Sequence, residues 1–149
     1  LQNTSTDFRF ETFDVADSTR NIIKKYANQF IMKNLSVSIT GSWEITSDRK
    51  WLSVAIEQLI NNAVKYTKTG SVTIKFDDNM TIKDTGIGIL PEDLPRLFEH
   101  GFTGYNGRNN QKSTGLGLYL TKGIMDRLEL TVTITSQVEQ GTEVCIEKN

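Results

Sequence analysis

Gln58, Asn62 and Tyr66 follow one another at four-residue intervals, and Lys65 comes three residues after Asn62. On an α-helix, side chains three and four apart lie one above the other, so these residues form a single stripe. The stripe offers a neutral oxygen ligand, a cation and an aromatic plate side by side. A nucleotide with its metal needs those three chemistries together. Taken alone, the pattern also describes a solvated helix face, so the rest of the chain has to decide.

A second candidate is Asp84-Thr85-Gly86-Ile87-Gly88-Ile89. Paired glycines let the backbone come close to a flat ligand without Cβ interference. A carboxylate at a strand end can accept a hydrogen bond from an exocyclic amine, worth roughly 1.5–3 kcal/mol. A glycine-rich turn with a solvated aspartate is the competing reading. The third candidate runs from His100 to Met125, which holds no carboxylate but includes Arg108, Lys112 and Lys122. Six of the chain's eleven glycines fall there: Gly101, Gly104, Gly107, Gly115, Gly117 and Gly123. Such a loop leading into a helix suits a polyphosphate, because free amides near Gly115 and Gly117 and the helix dipole attract an anion. A plain mobile surface loop accounts for the glycines but not for the missing acids. There is no Gly-x-x-x-x-Gly-Lys-Ser/Thr, so this is not a P-loop.

The elements that must carry these residues are legible as patterns. Leu52, Ala55, Ile56, Leu59 and Ala63 mark the buried face of a helix from about Asp48 to Tyr66, capped by Ser47-Asp48. Gly70 ends the loop after it. Val72, Ile74 and Phe76 alternate, Asp77-Asp78-Asn79 turns, and Met80 and Ile82 return, which predicts a hairpin ending at Asp84. Upstream, Phe8, Phe10 and Phe13 suggest a short strand. Asp17 and Ser18 can cap one helix carrying Ile22, Tyr26 and Phe30. Val37 and Ile39 form a strand, with Gly41 turning into another through Trp43 and Ile45. Downstream, Pro91 and Glu92 open a short helix with Leu94 and Leu97. Leu116, Leu120, Ile124 and Leu128 give a further helix. Val132-Ile134 and Val144-Ile146 are closing strands joined at Gln140-Gly141. Interleaved helices and strands pack as one sheet with helices laid on it.

With 149 residues the chain is expected to be one domain. Hydrophobic residues at 37% and charged ones at 23% describe an ordinary globular composition. A net charge of −1 gives no indication of nucleic-acid or anionic-membrane binding. Cys145 has no partner for an internal disulfide and is expected as a small core residue on the last strand. The chain begins at Leu1 rather than Met, which suggests a piece of something longer.

The order Asn62-Ala63-Val64-Lys65-Tyr66, Asp84-Thr85-Gly86-Ile87-Gly88, Leu97-Phe98-Glu99, Gly115-Leu116-Gly117-Leu118 and Gly141-Thr142 resembles the N, G1, F, G2 and G3 boxes of bacterial sensor histidine kinases. The resemblance covers nearly the whole chain and implies their catalytic ATP-binding domain over residues 1–149. The implied fold is the Bergerat fold, an α/β (α+β) two-layer sandwich with a mixed sheet and helices on one face. Carried over by position, Asn62 would be the Mg²⁺ ligand, Lys65 a phosphate contact and Tyr66 the adenine-side ring. Gln58 would join Asn62 and Lys65 in the catalytic set. Asp84 would read the adenine amine, with Gly86, Gly88 and Ile89 shaping the base pocket and Thr142 beside it. Phe98 to Thr114 would be the ATP lid, with Phe98 at its near end, Arg108 and Lys112 as its cations and Gly115 and Gly117 at its far hinge; Thr114, Leu116 and Leu118 would join the nucleotide-binding set. Wording such as Phe98-Glu99-His100-Gly101-Phe102-Thr103-Gly104 is similar to the small intramembrane-sensing kinases of Gram-positive bacteria, which answer to envelope antibiotics and antimicrobial peptides.

The cofactors implied are ATP and Mg²⁺. The partners implied are a histidine-bearing dimerisation domain and a response-regulator receiver domain, with no nucleic acid. The fragment is expected to be monomeric and the full protein a homodimer, this part being the cytoplasmic domain of a cell-membrane protein. The dimerisation, phosphoacceptor and transmembrane regions are expected to lie outside this chain. His100, the only histidine, is read as a lid or surface residue rather than the phosphoacceptor.

Three positions depart from the resemblance. Gln58 stands where related ATPases carry a catalytic Glu, and Glu57 is about 100° round the helix from that stripe. Ser113 and Glu139 replace glycines usual in the G2 and G3 boxes. Two alternatives stay open: a freestanding anti-sigma-factor serine kinase of the same superfamily, which would want Glu at position 58, and a nucleotide-binding pseudo-enzyme acting as a switch.

Overall fold

The computed structural model describes residues 8–102 and 117–149. Strand β1 (Phe10–Asp14) is followed by helices α1 (Val15–Lys25) and α2 (Ala27–Met32), then β2 (Leu35–Thr40) and β3 (Glu44–Asp48). The long helix α3 (Arg49–Tyr66) leads into β4 (Gly70–Phe76) and β5 (Asn79–Asp84). A 3-10 turn (Leu94–Arg96), helix α4 (Gly117–Arg127), β6 (Leu130–Gln137) and β7 (Gly141–Lys148) complete it.

The main sheet has the order β2-β4-β5-β7-β6, with β2 parallel to β4 and the other pairs antiparallel. This is the mixed sheet of the expected two-layer sandwich. Side chains alternate across a strand, and one parity is buried throughout: Val72, Ile74 and Phe76 on β4, Met80 and Ile82 on β5, Val144 and Ile146 on β7, Leu130 and Val132 on β6. The helices cover that face. Leu52, Ala55, Ile56, Leu59, Ile60, Ala63 and Val64 of α3 are all buried. Each large apolar side chain among them contributes about 1.5–3 kcal/mol by leaving water.

The strands β1 and β3 pair antiparallel as a separate ribbon, Phe10 opposite Asp48 and Asp14 opposite Glu44. Two aspartates fasten it to the helices. Asp14 Oδ1 accepts from Ala16 N at 2.9 Å, capping α1, and from Trp43 N at 3.0 Å, at the entry to β3. Asp48 Oδ1 accepts from Trp51 N at 2.9 Å, capping α3, and its Oδ2 accepts from Arg9 N at 2.6 Å. Each carboxylate therefore orients a helix and ties the ribbon at the same point. The orphan amides at a helix start reward such caps.

Several expectations need correction. The first helix starts at Val15 on Asp14, not on Asp17 and Ser18, and Tyr26 divides it in two. The Gly41 turn exists, but β2 and β3 join different sheets, because β2 finds β4 and β3 finds β1. The helix after Pro91 is only a 3-10 turn over Leu94–Arg96. Cys145 is half-buried, since it has the opposite parity to buried Val144 and Ile146.

Glu139 occupies a left-handed conformation, with φ +67°. A glycine is the natural residue there. Left-handed backbone costs a non-glycine residue about 1–2 kcal/mol, of which glycine's greater unfolded freedom takes back about 0.4–1 kcal/mol. Glu139→Gly is therefore expected to stabilise the fold by up to about 1.6 kcal/mol in urea denaturation. A loss of stability would mean that the glutamate side chain itself contributes.

Candidate functional site

On three adjacent strands the buried apolar parity ends in a polar residue at the same edge of the sheet. Met80 and Ile82 lead to Asp84; Ile146 and Val144 lead to Thr142; Val132 and Ile134 lead to Ser136. Asp84 is opposite Thr142, Thr142 is opposite Ser136, and Val72 closes the row on the other side of Asp84. Polar groups thus line up on the helix-covered face, where apolar ones are the rule.

Asp84 is buried, and its Oδ1 accepts from Gly86 N at 2.9 Å and Thr142 N at 3.2 Å. Oδ2 accepts no hydrogen bond from the described residues. Burial pushes the carboxyl above its ordinary range, and the two amide donors pull it partway back. A carboxylate held this way has one oxygen fixed by the backbone and the other open to a ligand donor.

Gly86 is a place of close approach. A Cβ there would lie 2.4 Å from the Tyr66 carbonyl oxygen and 2.9 Å from both Asp84 Oδ1 and Thr67 Oγ1. Only glycine lets the loop lie against the end of α3, where Ile87 N donates to Tyr66 O at 3.1 Å. The loop is also held from the sheet, by Ile89 N donating to Ser136 Oγ at 2.8 Å and Glu139 N donating to Ile87 O at 2.8 Å.

The α3 stripe meets this loop at one end and α4 at the other. Gln58, Asn62, Lys65 and Tyr66 are each half-buried rather than fully solvated. Gln58 Oε1 sits 2.7 Å from where a Gly117 Cβ would be, so it packs on the backbone at the start of α4. Lys65 Nζ lies 5.6 Å from the centre of the Tyr66 ring. The Asn62 amide makes no hydrogen bond to the described residues. Glu57 faces elsewhere: its carboxylate accepts from Lys25 Nζ at 2.9 Å and Tyr26 Oη at 3.3 Å, tying α1 to α3. It is not placed to act as a base beside Gln58.

Leu118 and Phe98 pack against the core. The exposed His100 ring meets Tyr119 edge-on, with centroids 4.7 Å apart. Of the expected site, Arg108, Lys112, Thr114, Gly115 and Leu116 lie outside the described residues. Among the others, Asp84 is tied to Gly86 and Thr142 through their amides, Gly86 lies against the Tyr66 carbonyl, and Lys65 lies beside the Tyr66 ring.

Three contributors escape the motif pattern. Ser136 carries a signal, since it ends an apolar parity run as Asp84 does. Thr67 is buried, and its hydroxyl has no hydrogen-bond partner among the described residues. Lys33 donates to the carbonyls of Val64 and Lys65, capping the last turn of α3 from another element, and burial lowers its pKa. Nothing in the local sequence marks it.

A mixed sheet under one helical layer, with a buried carboxylate and a glycine loop at the sheet's edge, is a Bergerat-type ATP-binding sandwich. The chain belongs to the family of histidine kinase-, DNA gyrase B-, and HSP90-like ATPases, which matches residues 47–149. It is 37% identical to the sensor histidine kinase YxdK of Bacillus subtilis, covering 93% of this chain and 45% of that protein. It is 40% identical to the B. subtilis sensor protein BceS, over 80% of this chain and 38% of the relative. The chain thus spans less than half the length of these relatives. Among solved structures it is similar to the nucleotide-free catalytic domain of histidine kinase ThkA, with a TM-score of 0.80 at 19% identity, covering 93% of this chain and 96% of that one. Full-length ShkA in complex with AMPPNP gives a TM-score of 0.79 at 20% identity, over 93% of this chain and 30% of that one.

Proposed function

We propose that this chain binds Mg-ATP and donates the γ-phosphoryl group to a histidine on a separate dimerisation helix domain of a two-component sensor kinase. The observation that carries the reading is Asp84, a buried carboxylate with one oxygen held by two amides and one left for an exocyclic amine. The likeness to sensor kinases supplies the reaction. In this reading residues 1–149 are the catalytic ATP-binding domain.

The base stacks beside Tyr66 over Gly86, Gly88 and Ile89, with Phe98 at the near end of the lid. Lys65 serves the phosphates, together with Arg108 and Lys112 by the family's pattern, and Thr114, Gly115, Leu116, Gly117 and Leu118 complete the nucleotide-binding set. Mg²⁺ fits Asn62: a neutral oxygen with no hydrogen bond from the described residues suits an ion that keeps waters and phosphate oxygens for most of its octahedron. Phosphoryl transfer asks the protein mainly for positioning and charge stabilisation. A neutral imidazole nucleophile needs little base help, which is why Gln58 is acceptable here. The serine-kinase reading wants a carboxylate at that position, and Glu57 is occupied by Lys25 and Tyr26 on another side of α3. A receiver domain would take the phosphoryl group onward. No described helix is long and apolar enough to cross a membrane. The membrane-protein context is therefore proposed from the relatives.

The test supplies the missing nucleophile. Incubated with γ-labelled ATP and the histidine helix pair of a relative, the chain is expected to label the helices and not itself. Asn62→Ala should abolish Mg-dependent labelling and weaken ATP binding in Mg²⁺, with unchanged melting. Label on His100, or equal binding by wild type and Asn62→Ala in Mg²⁺ calorimetry, would overturn these assignments.

A further inference from the structure

The hydroxyl of Ser136 has three partners, and their number fixes where two protons lie. Its oxygen receives Ile89 N–H at 2.8 Å and stands 2.9 Å from the Gly141 carbonyl oxygen and 2.9 Å from Thr142 Oγ1. A serine hydroxyl has one hydrogen and two lone pairs. The Ile89 amide can only donate, and the Gly141 carbonyl can only accept. The single Ser136 hydrogen therefore goes to Gly141, and the contact with Thr142 closes only if Thr142 donates. Thr142 also has one hydrogen, now committed. Whatever capacity its oxygen keeps toward the cleft is acceptor capacity.

The neighbour on the other side is Asp84, opposite Thr142 in the sheet and on the same face. Its free oxygen is an acceptor as well. The row thus presents acceptors next to one another, where a hydroxyl free to rotate would have offered a donor on demand.

We infer that Ser136 is a specificity-determining positioning residue: by taking the Thr142 hydrogen, it leaves Thr142 as a second acceptor beside Asp84, suited to an exocyclic amine with its two hydrogens and hostile to a carbonyl at that position. This rests on the ATP-binding reading and deepens it. Ser136 acts through Thr142. In Ser136→Ala the Thr142 hydroxyl is released to rotate and can donate to a carbonyl.

The experiment measures the affinity of wild type, Ser136→Ala, Ser136→Thr and Thr142→Val for Mg-ATP and Mg-inosine triphosphate, alongside their melting. The inosine base carries a carbonyl where adenine has its amine. In Ser136→Ala the preference for ATP over inosine triphosphate is expected to fall about three- to tenfold, the equivalent of one neutral hydrogen bond. Ser136→Thr, which restores a hydroxyl, should restore the preference. A purely structural role, through the lost ties to Ile89 and Gly141, would lower both affinities together and leave their ratio unchanged. If Ser136→Ala does not fold, Thr142→Val keeps those ties, removes the acceptor and should lower the ratio likewise. An unchanged ratio in folded Ser136→Ala, or in Thr142→Val, would overturn the inference while leaving ATP binding intact. Wild type binding both nucleotides equally would instead overturn the base-pocket reading of Asp84, and the inference with it.

Discussion

Asp84→Asn is expected to lose about ten- to a hundredfold in ATP affinity, as a charged hydrogen bond of roughly 1.5–3 kcal/mol is removed and an amide donor is turned toward the base amine. The same change should make the empty protein more stable at neutral pH. Burial raises the carboxyl above its ordinary range in the folded state. Folded protein therefore holds the Asp84 proton more tightly than unfolded protein does, and stability falls as pH rises through the folded pKa. Asparagine has no such proton to lose. Its melting advantage should be full at neutral pH and shrink as pH falls through the folded pKa toward the usual carboxylate range. Calorimetric titration with ATP and melting across that pH range read both effects. Undiminished ATP affinity would remove Asp84 from the base pocket.

Gly141→Ala should be the most damaging single-methyl change in the sheet. Gly141 has φ +127°, and an added Cβ would lie 2.0 Å from the Asp84 carbonyl oxygen, a backbone atom that cannot swing away. The strand pair β5–β7 would have to separate where Thr142 N reaches Asp84. A cost of roughly 3 kcal/mol or more is expected, lowering the melting temperature by about 6–12 °C. Gly101 provides the control, with φ +81° but no described residue within 4 Å of an added Cβ. Gly101→Ala should show only the backbone term, about 1 kcal/mol after the gain from a less free unfolded chain is taken off. Equal losses in the two variants would mean that the close approach at Gly141 is relieved cheaply.

Much of this architecture is legible in the sequence where one local pattern has one meaning. The α3 face from Leu52 to Ala63 has helical period and an aspartate cap, and it folds so. The β4–β5 hairpin follows from strict alternation around Asp77-Asp78-Asn79. Patterns consistent with two partners were less informative. Val37 and Ile39 mark a strand, but only tertiary packing sends it to β4 and its neighbour β3 to β1. Tyr26 continues the four-residue spacing of Ile22 and Phe30, yet its hydroxyl is drawn to Glu57 and the helix breaks there. Within the candidate site, the motif glycines and Asp84 are the positions that carry a local signal. Lys33 could not be found, because the carbonyls it caps are those of Val64 and Lys65, on another helix.

The row Val72, Asp84, Thr142 and Ser136 has a consequence for the order in which the molecule is made. Strand β7 lies between β5 and β6, so the β6–β7 hairpin joins the rest of the sheet only along β5. Asp84 exists from the first hairpin onward, but its second amide donor and its hydroxyl neighbours come from residues 136–142. A chain emerging from the ribosome can thus build the α3 wall and the β4–β5 hairpin while the pocket floor is still incomplete. In the proposed reading, the nucleotide is not expected to act as an early template for folding, and binding competence should arrive with the last strand pair. Ligand added to a chain cut before β6 should rescue nothing, whereas the same ligand should protect the completed sheet as a whole.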